Sequence, residues 1–528
     1  MRNLFRIFTI SSVLLIFISS CKKNDLNLRP TNDLVADQAY ATPAGYKNQL
    51  VKLYASYALT HSSGATGESD IGGLNPGFTD FLRLFWMSQE LPTDEAICGW
   101  NDEGIPELNK MTWTSENIFI RGLYSRSIYQ ITVCNDFLRE STPEKLASRG
   151  ITGADATNVQ RYRAEARFLR AFQYWVLLDG YGNPPFVTEN DLIGKVPPIQ
   201  IQRAELFKYV ESELKAIEVD LAEPRDNEYG RADKGADWSL LARLYLNAEV
   251  YTGTARYTDA ITYASKVINS GYALSTVYKN LFLTDSRNTS KENILTINYD
   301  GLHTQNDGGT TYLINAAING DMKPAEFGVP TGGWGGNRSR INLPQLFTDY
   351  SGATDKRALF FGVKLENDDA NTFTDGLRVV KFRNVDSKDV PAPSIEGKFS
   401  SLDFALFRLA EQYLIYGEAV TRGGTGGTAE QALKYVNGLR QRAYGNTSGN
   451  VSSLSVDFFL DERGRELYWE GFRRTDLIRY KKFTEGGYLW PFKGGAKSGI
   501  GVAATRNLYP LPLADMIANT NLVQNPGY

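Results

Sequence analysis

Apolar residues recur at intervals of three and four along several stretches of the chain, which is the spacing of helices that bury one face. The clearest stretch covers residues 161–181, where Phe168, Phe172 and Trp175 share one stripe. Glycine and proline residues at 180–185 then end the pattern. The sequence therefore predicts a helical scaffold.

The predicted helices come in pairs. Small residues such as Ala242 and Ala264 lie where two helices of a pair would cross, which is typical of tetratricopeptide units. We therefore predict a mainly α fold of tetratricopeptide-like helix pairs, at about 160–270 and about 404–483. The pairs are 161–181 with 203–221, 236–250 with 257–269, 404–421 with 428–443, and 456–469 with 474–483.

Two long insertions, at about 72–115 and about 284–400, interrupt the predicted pairs. They are rich in Gly, Asn, Asp and Thr, with strand-like fragments at 293–299 and 378–382. We expect them to form an irregular, loop-rich half with short strands. Because long ordered loops on a rigid scaffold usually carry function, ligand binding is expected there.

The first twenty residues have a different pattern. Two arginines precede an apolar run at 7–18, and two small residues and Cys21 follow. This pattern is typical of a bacterial lipoprotein signal, in which the thiol of Cys21 carries diacylglycerol. The run is too short to span a membrane, which takes about 20 residues. We predict a signal peptide at 1–20 and a single domain at 21–528, with an ordinary secretory signal or a short anchor as the alternative.

The composition of the chain excludes some classes of function. The formal net charge is −3, and no cluster of Lys and Arg suits a phosphate backbone, so we predict no nucleic-acid partner. The chain has two histidines, His61 and His303, which excludes a His-rich zinc site. Beyond Cys21 the cysteines are Cys98 and Cys134, and the sequence leaves open a disulfide or two buried thiols.

Carboxylates are plentiful, but their spacing does not predict catalysis. Glu462, Glu466 and Glu470 alternate with arginines, which predicts ion pairs on a helix surface rather than the acid and nucleophile of a glycosidase. Several aspartates carry the oxygen ligands that calcium takes, without the spacing of an EF-hand. We predict no enzyme and no cofactor, with calcium left open as an unsupported option. These aspartates are Asp300, Asp307, Asp321, Asp368 and Asp369.

Two tryptophans in the insertions have neighbours that offer little apolar cover. Trp100 lies between Gly99 and Asn101-Asp102, and Trp334 is flanked by four glycines. An exposed indole beside amide and carboxylate groups suits a sugar ring, whose C–H face stacks and whose hydroxyls form hydrogen bonds. The alternative is that each indole is buried as a loop anchor.

Ordered blocks along nearly all the mature length resemble the SusD/RagB family of surface glycan-binding lipoproteins. The blocks are 163–171, 181–185, 240–246, 408–411, 417–419, 437–443, 462–467, 470–474, 476–479 and 524–528. The resemblance implies tetratricopeptide-like pairs that support an irregular ligand-binding half. It also implies that the protein caps a SusC-like TonB-dependent transporter of the outer membrane and passes oligosaccharides to it.

The resemblance to the starch-binding branch of that family implies a set of site residues. Trp100 and Trp334 would be stacking platforms along the curve of an α-glucan. Asn101 and Asp102 would bind its hydroxyls, and Arg83 would be a further polar contact. A third aromatic is expected near 299–312, where this chain has Asn306-Asp307 at the expected position. The implied glycan-binding residues are Arg83, Trp100, Asn101, Asp102, Tyr299, His303 and Trp334.

The sequence thus predicts a lipid-anchored outer-membrane protein at the cell exterior that binds an oligosaccharide, with starch-type α-glucan as the first expectation. One alternative is a lipid-anchored glycoside hydrolase, which requires two carboxyl groups about 5 to 9.5 Å apart across a cleft. The other is a SusD-like lid that binds a different glycan or a peptide.

Overall fold

The computed structural model of the protein describes residues 36–528, apart from 62–68, 192–193 and 195. The predicted signal peptide at 1–20 and the lipid-accepting Cys21 lie outside these residues. Within the described part, no helix has both the length and the apolar character needed to cross a membrane.

Helices make up most of the regular structure. They are α1 (Ala36–Ala39), α2 (Pro43–Ala55), α3 (Phe81–Glu90), α4 (Ile105–Lys110), α5 (Ile118–Glu140), α6 (Pro143–Ser148), α7 (Gly153–Gly180), α8 (Arg203–Ile217), α9 (Lys234–Leu246), α10 (Ala248–Thr252), α11 (Tyr257–Ile268), α12 (Ser286–Thr289), α13 (Gly309–Asn315), α14 (Asn342–Gln345), α15 (Leu409–Thr421), α16 (Ala429–Tyr444), α17 (Val456–Leu467), α18 (Arg473–Arg479) and α19 (Leu513–Ala518).

The predicted helix pairs pack against each other. Helix α7 packs on α8, α9 on α11, α15 on α16, and α17 on α18. Helix α11 also packs on α15, so pairs from two distant parts of the chain form one scaffold. The mainly α, tetratricopeptide-like fold is confirmed. The long α5, which the sequence pattern did not predict, packs along α7.

In the part of the chain that the structure describes, the short strands form three separate antiparallel pairs. In each pair, one or both strands come from the second insertion, which has the loop-rich character expected of it. The strands are β1 (Ala96–Cys98), β2 (Asn293–Ile297), β3 (Asn337–Ser339), β4 (Phe360–Phe361), β5 (Arg378–Val379) and β6 (Phe404–Arg408), paired as β1 with β3, β2 with β6, and β4 with β5.

The predicted helix at 404–421 is wrong in its first turn. Phe404–Arg408 is strand β6, and the helix begins at Leu409. The backbone of β6 pairs with Asn293–Ile297, a partner that lies far away in sequence. Tertiary pairing therefore overrides the local helical pattern.

The first insertion is less irregular than predicted, because it contains α3. All ten residues of this helix are buried. Since the helix is covered on every side, its sequence FLRLFWMSQE lacks a clean division into an apolar and a polar face. This buried helix carries Arg83, one of the predicted site residues.

The glutamates predicted on a helix surface are buried in the core. Glu466 Oε1 accepts from Arg408 Nη1 at 2.7 Å and from Arg442 Nη2, and Oε2 accepts from Arg357 Nη1 at 3.3 Å. Burial opposes ionisation, but the three guanidinium groups outweigh it and hold the pKa of Glu466 at about 2. The four-residue spacing thus marks a buried ion-pair network. Its acidic members include Glu292, Glu462, Glu466 and Glu470.

Cys98 and Cys134 are separate, buried thiols. Burial raises the pKa of each thiol to about 12. Of the two options that the sequence left open, the structure has the free thiols.

Candidate functional site

A short two-stranded ribbon brings the two loop tryptophans together. Strands β1 and β3 are antiparallel, with Cys98 opposite Asn337. The amide of Gly99 donates to the carbonyl of Gly336 at 2.9 Å, which extends the pairing towards the loops. Trp100 lies two residues after the end of β1, and Trp334 lies three residues before the start of β3. The ribbon therefore places two distant parts of the chain side by side.

Trp100 and Trp334 line the same cleft, which has a volume of about 390 Å³. Both indoles are half-buried, so each keeps surface open to a ligand. Arg83 and Asp102 also line this cleft, so four of the predicted site residues share one surface. The remaining lining residues are Gly77, Phe78 and Asp307.

Arg83 links the walls of the cleft. Its guanidinium carbon lies 4.5 Å from the ring centroid of Tyr312, 5.5 Å from that of Trp100 and 5.8 Å from that of Phe78. Its Nη1 donates to the carbonyl of Asp307 at 3.2 Å. Cation–π contacts of this kind hold rings in place when the cation is buried, as Arg83 is. Arg83 thus positions the aromatic wall as well as lining the cleft.

Asp80 caps the helix that carries Arg83. Its Oδ1 accepts from the amide of Arg83 at 2.8 Å and from the amide of Gly309 at 2.7 Å. Burial raises the pKa of Asp80 to about 6, although these hydrogen bonds favour the charged form. Within the described residues, its Oδ2 has no hydrogen-bond partner.

The variant Asp80→Asn should be more stable than the wild type at pH 8 but not at pH 4. Because folding raises the pKa of Asp80 from 3.8 to about 6, wild-type stability falls as the pH rises through this window. Asparagine keeps the capping oxygen and carries no charge. We expect a gain of about 3 kcal/mol at pH 8, measured by urea unfolding at both pH values. An equal difference at pH 4 and pH 8 would contradict this origin.

Tyr299 does not provide the third stacking platform, so this prediction is wrong. The residue is 3% exposed, and its ring packs against Gly309, where an added Cβ would lie 2.3 Å from Cε1. A tyrosine buried in this way offers no face to a sugar.

His303 and Asn101 are exposed but do not line the cleft. His303 Nδ1 lies 2.8 Å from Oδ2 of Asp300, in a separate turn. Asn101 Oδ1 accepts from the side-chain amide of Asn371. Asn101 is the neighbour of Trp100 in sequence, but neither it nor His303 is among the residues that line the cleft.

Phe78 and Asp307 are the lining side chains that the sequence prediction did not include. Phe78 follows Asn75-Pro76-Gly77, a loop context with as little apolar cover as that of the two tryptophans. Asp307 stands where the third aromatic was expected, and its Oδ1 lies 3.2 Å from Lys398 Nζ. The third aromatic of the cleft thus comes from a different segment.

Across the described part of the chain, no group of three or more His, Cys, Asp and Glu residues is arranged to hold a metal ion. The polar groups of the cleft are the guanidinium of Arg83 and the carboxylates of Asp102 and Asp307. Together with three aromatic side chains, these groups suit a ligand with apolar faces and a hydroxylated edge.

Known proteins similar to this chain identify its family. A family model described as the SusD family matches residues 360–528. The chain is 36% identical to the starch-binding protein SusD of Bacteroides thetaiotaomicron, over 97% of this chain and 96% of that protein. The chain belongs to the SusD family. The SusD-like protein P2 of Formosa agariphila is 26% identical to this SusD-family chain, over 98% of each protein.

Solved structures share the fold of this SusD-family chain. Surface glycan-binding protein A from Bacteroides thetaiotaomicron, in complex with laminarihexaose, has a TM-score of 0.69 and 21% identity, covering 91% of this chain and 99% of that one. A laminarin-binding SusD-like protein has a TM-score of 0.67 and 21% identity, covering 92% and 99%. The resemblance to the SusD/RagB family is confirmed.

Proposed function

We propose that this chain is a surface glycan-binding protein that captures an oligosaccharide, with starch-type α-glucan as its first ligand. The observation that carries this proposal is the convergence of Trp100, Trp334 and Phe78 on one cleft beside Arg83. Aromatic faces supply stacking, while the charged groups supply hydrogen bonds to hydroxyls. The relative at 36% identity is named for starch binding, which favours α-glucan within the glycan class.

A different glycan is the second candidate. The observation that favours it is the ion pair of Asp307 with Lys398 at the position where the starch-binding branch is expected to have an aromatic residue. Phe78 supplies an aromatic ring from the loop before α3 instead. The third aromatic ring therefore lies at a different place in the cleft from the one expected in the starch-binding branch. This difference favours a glycan whose shape differs from that of a starch-type α-glucan.

Removing either indole should weaken glycan binding. We expect Trp100→Ala and Trp334→Ala each to lower the affinity about fivefold to tenfold, because one aromatic contact contributes about 1 to 1.5 kcal/mol. Isothermal titration calorimetry with maltoheptaose, laminarihexaose and a panel of other oligosaccharides measures the loss. Trp238→Ala, which removes a half-buried indole outside the cleft, is the control. If wild type binds a glycan and both cleft variants bind it equally well, the site assignment is wrong.

The same panel separates binding from hydrolysis. We propose a protein without catalytic activity, so incubation with a bound glycan should release no new reducing ends. Release that disappears in Asp102→Asn would favour the lipid-anchored hydrolase instead.

We further propose that lipid on Cys21 holds the protein at the outer surface of the outer membrane, where it delivers its glycan to a SusC-like TonB-dependent transporter. The signal-peptide pattern before Cys21 supports the anchor. Membership of the SusD family supports the transporter partner. A binder without catalysis is useful when a neighbouring protein takes up its ligand, and the lipid tether keeps it near such a partner. The proposed binding requires no cofactor.

A further inference from the structure

A second groove lies apart from the tryptophan cleft. Its central cavity has a volume of about 240 Å³ and is lined by residues around Tyr229 and Arg287. It shares Arg287 with a neighbouring cavity of about 510 Å³, and Gly230 and Thr296 with another of about 190 Å³. Neither Trp100 nor Trp334 lines any of the three. We call these three cavities the Tyr229 groove.

Tyr229 is an exposed aromatic side chain held in a fixed position. The residue is 43% exposed. Burial and the nearby Asp403 carboxylate raise the pKa of Tyr229, whose hydroxyl interacts with the side chains of Asp403 and Thr296. The guanidinium carbon of Arg287 lies 5.7 Å from the ring centroid. The anchored hydroxyl and the stacked cation leave the rest of the ring available for contact.

The side chain of Arg287 is also held in a fixed position, and one of its guanidinium nitrogens has no hydrogen-bond partner among the described residues. Its Nε and Nη2 donate to the two carboxylate oxygens of Asp403, at 3.0 and 2.7 Å. Its Nη1 forms no hydrogen bond with the described residues, and the side chain is 38% exposed. A bidentate pair of this kind holds the guanidinium plane, so the free N–H groups point in a defined direction.

Further polar groups of the central cavity also lack partners within the described residues. Asn293 Oδ1 is buried without a donor, and the exposed ammonium of Lys291 has no carboxylate beside it. Four cations line this cavity beside Glu228 and Asp233. Two of the cations, Arg231 and Arg287, are paired with carboxylates outside the lining, so charges of both signs are matched around the cavity. A neutral, hydroxylated ligand matches the free donors of Arg287 and Lys291 beside one aromatic ring.

We infer that the Tyr229 groove is a second carbohydrate subsite, in which Tyr229 stacks on a sugar ring while Arg287 and Lys291 bind its hydroxyls. This inference rests on the proposed glycan-binding function and extends it to a second place on the surface. A polysaccharide that engages the cleft and the groove is retained more strongly than a ligand of either site alone, because release from one leaves it held by the other.

Affinity electrophoresis in gels that contain amylopectin, laminarin or no polysaccharide tests the subsite. Tyr229→Ala should lower the affinity for the retained polysaccharide about three- to tenfold, the effect of one aromatic contact. The control is Tyr350→Ala, which removes a tyrosine of similar exposure, 37%, that lies outside the groove. The Trp100→Ala/Trp334→Ala variant should keep residual retention that adding Tyr229→Ala abolishes.

The outcomes separate this inference from the proposed function. If Tyr229→Ala migrates like Tyr350→Ala while the wild type is retained, the subsite is wrong and the proposed function stands. If the Tyr229 change weakens retention but the two tryptophan changes do not, the groove stands and the cleft assignment is wrong. If no polysaccharide retains the wild type, both proposals are wrong.

Discussion

Replacing Glu466 with glutamine should lower the free energy of unfolding by about 3 to 5 kcal/mol, the cost of removing one partner from a buried ion pair. Glu466 is fully buried and accepts hydrogen bonds from Arg408, Arg442 and Arg357. Glutamine has nearly the same shape, so the change removes the charge and leaves three buried guanidinium groups short of a counter-charge. The loss should appear as a lower denaturation midpoint in urea at pH 7.

The pH dependence of this loss identifies its cause. The pKa of Glu466 is depressed from 4.5 to about 2, so its stabilising contribution is complete above about pH 4.5 and is lost as the pH falls towards 2. The difference between wild type and Glu466→Gln should therefore shrink over that window. Glu430→Gln, an exposed glutamate on α16, should change stability by less than about 0.5 kcal/mol. A difference of similar size for both variants would contradict the role of the buried network.

Replacing Gly336 with alanine should reduce glycan affinity about tenfold or more, although the new methyl group is not itself a ligand contact. Gly336 has a φ of +109°, and an added Cβ would lie 2.5 Å from Nε1 of the Trp100 indole. The indole must leave its observed position to relieve this overlap. Because its movement removes a stacking platform and alters its contact with Arg83, the loss should equal or exceed that of Trp100→Ala. Calorimetry with the best ligand of the panel measures it.

The positive φ at Gly336 also carries a cost in stability, about 1 to 3 kcal/mol. Gly423→Ala separates the two effects, because Gly423 has a φ of +93° and open space around an added Cβ. That variant should lose stability but keep its glycan affinity. Unchanged binding by Gly336→Ala would show that the Trp100 indole is not needed in its observed position.

The sequence predicted the helical scaffold where one face of a helix is buried and the other is not. The pattern at 203–221 has this property, and α8 is there, with Leu206, Val210 and Leu214 buried between exposed polar residues. Helix α3 was not predicted because its apolar residues, at 81–82 and 84–87, do not form a single stripe. The glutamate spacing at 462, 466 and 470 correctly predicted ion pairs with arginines, with Glu462 and Glu466 on one side of α17 and Glu470 beyond its end. Spacing does not tell whether that side faces water or the arginines of another segment.

In the candidate site too, the sequence predicted features that depend on neighbouring residues but not those that depend on contacts between distant segments. Glycine-rich surroundings predicted that Trp100 and Trp334 keep surface open, and both indoles line the cleft. Tyr299 was chosen by residue type and position along the chain, but its burial depends on packing against Gly309. Phe78 enters the cleft because Arg83 draws its loop and the Asp307 backbone to one place. Such contacts between distant segments depend on the whole fold.

The β1–β3 ribbon has a consequence for how the protein selects among glycans. Ladder hydrogen bonds join the segments that carry the two indoles, so the spacing of the indoles is set before a ligand arrives. Binding then orders little of the protein, and most of the conformational entropy lost belongs to the sugar chain. A glycan that is stiff and already curved in solution loses less freedom on this preorganised surface than a flexible one with the same hydroxyl groups. We therefore expect selectivity among glycans to depend on the rigidity of the ligand as well as on its chemistry.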